Sequence, residues 1–323
     1  MSSQAQLLML DRDAVAAVMT TDMIDRAVRD AFALHSARQG RVFPVVREAL
    51  STGGIFGIKS GDVAARALLG FKAAGFWPRN RELGGEPHQA TIMLFDPATG
   101  RPRCIMDGNA ITTARTAAAG ELGLRILARA DSTSVCVFGT GVQARAQLSA
   151  ALRAFPSLRT VRYVSQDGRP KPDFEACFDG TCRPVLALDV DAAVAASDVV
   201  ITATPGAGPL FSAAAVRPGT HLNCVGADTR GKRELPGSLL ERCRLVVDDS
   251  EQARSLGETQ WAPSVPHAEL GDLLTGKCAF DRQADDVTVF DMTGLALQDL
   301  VVGEYLYDAA NAARVGCLIS WPW

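Results

Sequence analysis

Between residues 12 and 38 apolar positions recur at helical spacing, with Met23, Ile24, Ala27, Ala31 and Leu34 on one stripe. Thr20 and Thr21 supply N-cap chemistry, Asp22 an acidic first turn, and Gly40 a stop, so the segment is predicted as two helices. From 42 to 100 the pattern breaks into short runs punctuated by Gly and Pro. "GIFGIKSG", "LLGFKAAGF" and "ATIMLFDPATGRP" read as strands, the last closing in a turn at Pro97–Gly100. Lys72 stands inside the second of these, among Phe71, Ala73, Ala74, Phe76 and Trp77. A lysine in such a setting calls for a partner anion, because lysine is rarely buried unpaired.

Residues 112–131 form a strongly patterned helix. After it, apolar runs and helical runs alternate: "SVCVFG", "LRTVRYVSQDG", "ASDVVITATPG", "GTHLNCVGAD" and "RCRLVVDD" supply the strands. That alternation predicts an α/β fold with a doubly wound, Rossmann-type parallel sheet over 119–298. Residues 1–118 and 299–323 are left for a second, α+β domain, with a C-terminal helix near 295–315 returning to pack on the N-terminal region.

The chain has 323 residues, enough for two domains, and 47% of them are hydrophobic, enough for real cores. A net charge of −3 argues against nucleic acid as a partner. No run of eighteen uncharged apolar residues is present, and the N-terminal segment lacks a basic region followed by an apolar core. The expectation is a cytoplasmic protein without a membrane partner. The 8 cysteines contain no C-x-x-C pair. They are expected to be buried small hydrophobes, with neither a disulfide framework nor a structural metal.

"VCVFGTGVQA" carries Gly139, Gly141 and Ala144 between a strand and a helix, the context in which G-x-G-x-x-A means dinucleotide binding. Gly139 allows the tight turn, Gly141 lets backbone approach a pyrophosphate, and Ala144 allows close helix–strand packing. Thr140, Val142 and Gln143 complete the expected contact set. At the end of the second strand, Ser165 or Gln166 occupies the tip, Asp167 comes late, and Arg169 follows. A neutral tip with a nearby arginine suits a 2′-phosphate, so NADPH is favoured, with NADH left open. Thr202 and Thr204 end another strand at the edge where nucleotides lie.

The stretches "GFKAAGFWPRN", "IMLFDPATGRP", "ITTARTAA", "VFGTGVQA", "HLNCVGADTRGKREL" and "VTVFDMTGLALQDL" resemble, in order and spacing, the ornithine cyclodeaminase/μ-crystallin family. That resemblance covers nearly the whole chain. It implies a homodimer built through the non-nucleotide domain, and an amino or imino acid whose carboxylate is held by an Arg–Lys–Arg set. Carried over by position, those residues are Arg47, Lys72 and Arg115, with Asp228 as the acid of the "GAD" segment and Thr112 among the cofactor contacts. His88 is a further candidate at the substrate. Two departures stand out. Lys59 replaces a glutamate that cyclodeaminases use for substrate amino groups, facing either the site or solvent. Met292 replaces a frequent serine, leaving Thr293 as its substitute.

The resulting expectation is reduction of a small cyclic imino acid, Δ1-pyrroline-2-carboxylate or Δ1-piperideine-2-carboxylate, to proline or pipecolate. Asp228 and Lys72 are the catalytic candidates. The alternatives are ornithine cyclodeamination with catalytic NAD, an alanine dehydrogenase-like reaction, and a non-catalytic binding protein. A cation at position 59 facing the site would repel a diamino acid.

Overall fold

The computed structural model describes residues 5–322. The chain divides into two compact units. One runs through Arg115 and resumes at Leu295; the other spans Thr116–Gly294. The outermost ends of the expected α+β domain, residues 1–4 and 323, lie outside the described residues.

The first unit is built on a mixed sheet. Its strands are β1 (Ala5–Leu10), β2 (Arg41–Val42), β3 (Val46–Ala49), β4 (Ile55–Val63), β5 (Leu68–Phe76), β6 (His88–Phe95) and β7 (Pro102–Asp107). A closing strand, Cys317–Trp321, pairs antiparallel with β1. Strands β4, β5, β6 and β7 form an antiparallel meander, and β1 joins β7 in parallel. Helices α1 (Arg12–Val18) and α2 (Thr21–Ser36) match the predicted pair; the side chains of Asp11 and Thr20 cap them. The C-terminal helix, Ala296–Ala313, packs on α2 and on β4 to β6. The strands at both ends of the described chain lie outside the predicted elements, because each is a short run whose pairing partner is distant in sequence, which local pattern does not mark.

The helix predicted at 112–131 is α3, Gly108–Leu127, and the division between units falls within it. The second unit carries β8 (Ser134–Phe138), β9 (Thr160–Val164), β10 (Val185–Leu186), β11 (Val199–Thr202), β12 (His221–Cys224), β13 (Arg244–Val247), β14 (His267–Glu269) and β15 (Thr288–Asp291). All are parallel, in the order β10-β9-β8-β11-β12-β15-β13-β14. This is the expected doubly wound sheet. Alternate residues of its strands feed two cores. Val135, Val137, Tyr163 and Ile201 meet Leu124 of α3 and Leu148 of α4 (Val142–Ala154). Cys136, Phe138, Val200 and Leu222 meet Phe211, Leu235 and Leu239 on the other side.

Cys104, Cys136 and Cys224 are buried as expected, but Cys177, Cys278 and Cys317 are exposed, Cys177 in a short 3-10 turn and Cys317 on a strand at the sheet edge. No helix of the described residues is long and apolar enough to cross a membrane.

Candidate functional site

Strand order places the reversal of the second unit's sheet at β8, flanked by β9 and β11. A ligand crevice is expected just beyond the C-terminal ends of such strands. Gly139 follows β8 there with φ +96°, and a Cβ on it would fall 2.6 Å from the Ala203 carbonyl oxygen. Two reasons therefore require glycine. Gly141 is the N-cap of α4, without a capping side chain and without an acid in the first turn. A Cβ there would meet nothing within 4 Å. The helix thus opens with undercommitted N–H groups toward open space, which is what an anion needs. Val142 is exposed beside it, Thr140 and Gln143 are half-buried, and Gln143 Oε1 has no partner among the described residues. Ala144 is fully buried against the sheet. These residues fit a dinucleotide pyrophosphate.

β9 ends at Val164, which puts Ser165 and Gln166 at the strand tip. The Ser165 hydroxyl donates to the Arg169 carbonyl at 2.8 Å and Gln166 is exposed. Asp167 is already engaged: Lys171 donates to it at 2.7 Å and the Arg169 N–H at 3.2 Å. The Lys171 contact, with that N–H, holds its carboxyl down at about 2.

Thr202 is fully buried at the end of β11. Thr204 departs from the expected crevice role, because its hydroxyl donates to Glu234 Oε1 at 2.7 Å. Glu234 is a residue the sequence reading missed. It also accepts the Thr204 N–H at 2.7 Å and the Gly226 N–H at 2.9 Å, tying the loop after β11 to the loop after β12. Burial raises its carboxyl above the ordinary range, against the pull of those donors. An acid inside "GKREL" was its only sequence signal.

The second of those loops carries Asp228. Its Oδ1 accepts from Lys232 Nζ at 2.7 Å and from the Thr229 hydroxyl at 3.1 Å, and its side chain is 36% exposed. Met292 is buried. Thr293 donates to Asp248 at 2.7 Å and accepts from Gln252, so its hydroxyl serves an internal network.

In the first unit, sheet register brings the candidate cations to one face. Arg47 pairs with Gly57, Gly57 with Ala74, and Ala74 with Ala90. In the neighbouring row Lys59 pairs with Lys72, and Lys72 with Ile92. Paired positions share a face of a sheet, as do residues two apart on a strand. Arg47 lies across Gly57, whose added Cβ would come 3.1 Å from Arg47 Cδ. His88, opposite Phe76 on the same face, has its Nδ1 3.2 Å from Asn109 Oδ1. The row beyond the lysines, Gly61 and Gly70, is covered by Leu297 and Leu300 of the C-terminal helix. The lysines therefore border a floor of small side chains.

That helix supplies the anion. Asp299, fully buried, lies 2.7 Å from Lys72 Nζ and 3.1 Å from Arg115 Nε. Arg115, on α3 one turn after buried Thr112, also donates to Gln298 Oε1 at 3.3 Å. Asp299 is the second missed residue; a lone acid in "LALQDLVVG" was the signal, the mirror image of a lone lysine in a strand. Burial pushes Lys72 down to about 7, helped by Arg115 and Lys59 and opposed by Asp299. Burial alone would raise the Asp299 carboxyl, but Lys72 and Arg115 hold it below its ordinary value. The solvent-facing alternative for Lys59 is excluded: it is 9% exposed and acts electrostatically on both Lys72 and Asp299. A separate cleft of about 830 Å³ in this unit is lined by Asp11, Asp107 and Asn109 and by none of these cations, so it is not the anion site.

Comparison with known proteins follows the same lines. The sequence model of the ornithine cyclodeaminase/mu-crystallin family matches residues 6–314. An iminosuccinate reductase of Paracoccus denitrificans is 32% identical, over 94% of this chain and 97% of its own. An archaeal alanine dehydrogenase dimer with bound NAD superposes with a TM-score of 0.91 at 30% identity, covering 98% of this chain and 100% of its own. The Δ1-pyrroline-2-carboxylate reductase of Thermococcus litoralis, in complex with NADH and L-proline, gives 0.87 at 25% identity, covering 96% and 99%.

Proposed function

Because this chain belongs to the ornithine cyclodeaminase/mu-crystallin family, we propose that it reduces the C=N bond of a small imino acid with NADPH or NADH. It is an NAD(P)-dependent oxidoreductase of that family. Δ1-Pyrroline-2-carboxylate and Δ1-piperideine-2-carboxylate are the first substrates to test, giving proline and pipecolate. The observation that carries this reading is the set Arg47, Lys59, Lys72 and Arg115, the last three buried and Arg47 half-buried, gathered on one side of a small-residue floor, with the Asp299 carboxylate held between Lys72 and Arg115.

Arg47, Lys72 and Arg115 bind the substrate carboxylate; guanidinium forks suit it bidentately. Asp299 fixes the tips of Lys72 and Arg115 before substrate arrives, so little ordering remains to be done on binding. A nicotinamide held at the glycine turn would supply the hydride that C2 of the imine takes. The nitrogen takes one proton, so imine, NAD(P)H and H⁺ become amine and NAD(P)⁺. Lys72, holding its proton with a value of about 7, is the residue suited to release it at neutral pH. Asp228 is kept as the family-matched acid of the reaction, with its carboxylate oriented by Lys232 and Thr229.

Gly139, Thr140, Gly141, Val142, Gln143 and Ala144 would hold the pyrophosphate. Preference for NADPH rests on the neutral tip at Ser165 and Gln166, on the engagement of Asp167 by Lys171, and on Arg169 in the same turn. Arg169→Ala should then raise the KM for NADPH about tenfold and leave NADH unchanged.

A homodimer is the proposed assembly. The other face of the first unit's sheet carries Phe56, Ile58, Phe71, Met93 and Ile105, each only half covered. Sedimentation at micromolar concentration tests it. Lys59 on the site face weighs against ornithine as substrate, since it repels a second ammonium.

The deciding experiment is a spectrophotometric screen of NADPH and NADH oxidation. Substrates are the two cyclic imines, pyruvate with ammonium, and a blank. Ammonia release from ornithine with catalytic NAD and no net reduction would overturn the proposal.

A further inference from the structure

The loop after β12 that carries Asp228 is gripped by one short stretch elsewhere in the second unit, the 3-10 turn Glu258–Trp261. Glu258, fully buried, accepts the Glu234 N–H at 2.6 Å on one carboxyl oxygen and the Leu235 N–H at 3.2 Å on the other. Gln260 accepts the Gly231 N–H at 2.8 Å and donates to the Lys232 carbonyl at 3.3 Å. The Trp261 Nε1–H donates to that same carbonyl at 2.9 Å, and the Arg233 guanidinium lies 5.2 Å over the Trp261 ring. Side chains of this one turn thus hold residues 231–235, the returning half of the loop.

From there two routes lead to Asp228. Lys232, whose carbonyl takes the Gln260 and Trp261 donors, reaches back with Nζ to Asp228 Oδ1 at 2.7 Å. Glu234, whose N–H is held by Glu258, accepts the Gly226 N–H at 2.9 Å, two residues before Asp228. The turn is itself anchored to the sheet. Asp291, at the end of β15, accepts the Glu258 N–H at 3.0 Å and the Thr259 N–H at 2.8 Å, and a Cβ on Gly257 would collide with its carboxylate. Asp291, Glu258 and Glu234 therefore form a chain of buried acids, each engaged by N–H groups of the next segment. Burial raises the Glu258 carboxyl, helped by the charges of Asp291 and Glu234 and opposed by its two N–H donors. Three acids are a costly way to fill a dry interior; what they provide is fixed geometry at the N–H groups they accept.

We propose that the Glu258–Trp261 turn is the positioning element of Asp228, with Glu258 and Trp261 acting on the reaction only through that carboxylate. The inference rests on the imine-reductase reading, in which Asp228 is the acid of the reaction, and adds no chemical step to it. The aim of the carboxylate is set through Lys232 on one side and Gly226 on the other, and both lead back to the same turn.

The test is a double-mutant cycle on the full-length protein: wild type, Glu258→Gln, Trp261→Phe, Asp228→Asn, and each of the first two variants combined with Asp228→Asn. Each is assayed for NAD(P)H oxidation with Δ1-pyrroline-2-carboxylate and with pyruvate plus ammonium, and for NAD(P)H affinity by fluorescence titration. Glu258→Gln sets an amide nitrogen against a backbone N–H. It should lower kcat about tenfold and keep NAD(P)H affinity within about threefold. Trp261 is 43% exposed, so Trp261→Phe should fold even if Glu258→Gln does not; it keeps a ring under Arg233 and loses the bond to Lys232. Its kcat should fall about threefold. In the Asp228→Asn background neither change should lower kcat further, because a residue that acts through Asp228 has nothing left to act on. A loss of the same size in both backgrounds, or an unchanged kcat in both single variants, overturns the proposal while leaving imine reduction standing. Asp228→Asn with full activity removes Asp228 from the reaction, and this inference with it. If wild type reduces no imine at all, the imine-reductase reading itself fails, and the inference falls with that reading.

Discussion

The carboxylate of Asp299 lies 2.7 Å from the Nζ of Lys72, both side chains sealed from solvent on the inner face of the first unit. The lysine that interrupts an apolar strand thus has its anion at rest, supplied from a helix more than two hundred residues away in sequence. Arg115 shares that carboxylate at 3.1 Å, so one acid holds two cations in place.

Removing the charge at 299 should be costly twice over. In Asp299→Asn, Lys72 and Arg115 stay buried with their shared countercharge gone, and breaking a buried pair costs about 3–5 kcal/mol. Equilibrium denaturation would read that loss. The same variant should move the titration of Lys72 below its present value of about 7, visible as an acid-side displacement of the kcat/KM profile.

Lys72 gives the wild-type pH dependence its sign. The substrate clamp and the proton both need the ammonium form, so kcat/KM should fall as pH rises through about 7. In the profile of kcat the bend should lie at higher pH, because a bound carboxylate favours the charged lysine. Stability runs the other way. The unfolded chain protonates this lysine below about 10.5, the folded chain only near 7, so the residue penalises folding progressively as pH drops through that window. Lys72→Arg, whose guanidinium stays charged, should give a profile without the bend.

Gly139 and Gly141 should fail in different ways. Gly139→Ala forces a Cβ against the Ala203 carbonyl at positive φ, so it should lower the melting temperature with or without cofactor. Gly141→Val meets no protein atom in the place of its Cβ. It should fold normally yet bind NAD(P)H at least about tenfold more weakly, since only the cofactor is crowded. Calorimetric titration beside a thermal scan separates the two.

Glu234→Ala tests the loop tie. Its loss leaves the N–H groups of Thr204 and Gly226 without their acceptor, at about 1–3 kcal/mol for a buried unsatisfied group. Faster hydrogen exchange at residues 203–206 and 225–229 should accompany the loss, together with a reduced kcat, because the second loop carries Asp228.

Local sequence determined much of this protein. The alternation of apolar runs and helical runs specified the parallel sheet, because each element's period is set by its own backbone. The Gly139–Gly141 turn was legible for the same reason: its chemistry is complete within six residues flanked by a strand and a helix. The cations were legible by type and by family resemblance.

Tertiary structure decided what those groups face. Whether Lys59 met solvent or the site depended on strand register, since a shift of one residue reverses every side chain of β4. Asp299 and Glu234 could not be matched to Lys72 or Thr204 from sequence, because a buried charge is satisfied across space by whichever element the fold brings near. Thr204 and Thr293, read as crevice groups, turned inward to Glu234 and Asp248, since a hydroxyl beside a buried carboxylate is held by it. Period and turn chemistry are local properties; the pairing of charges in a dry interior is not.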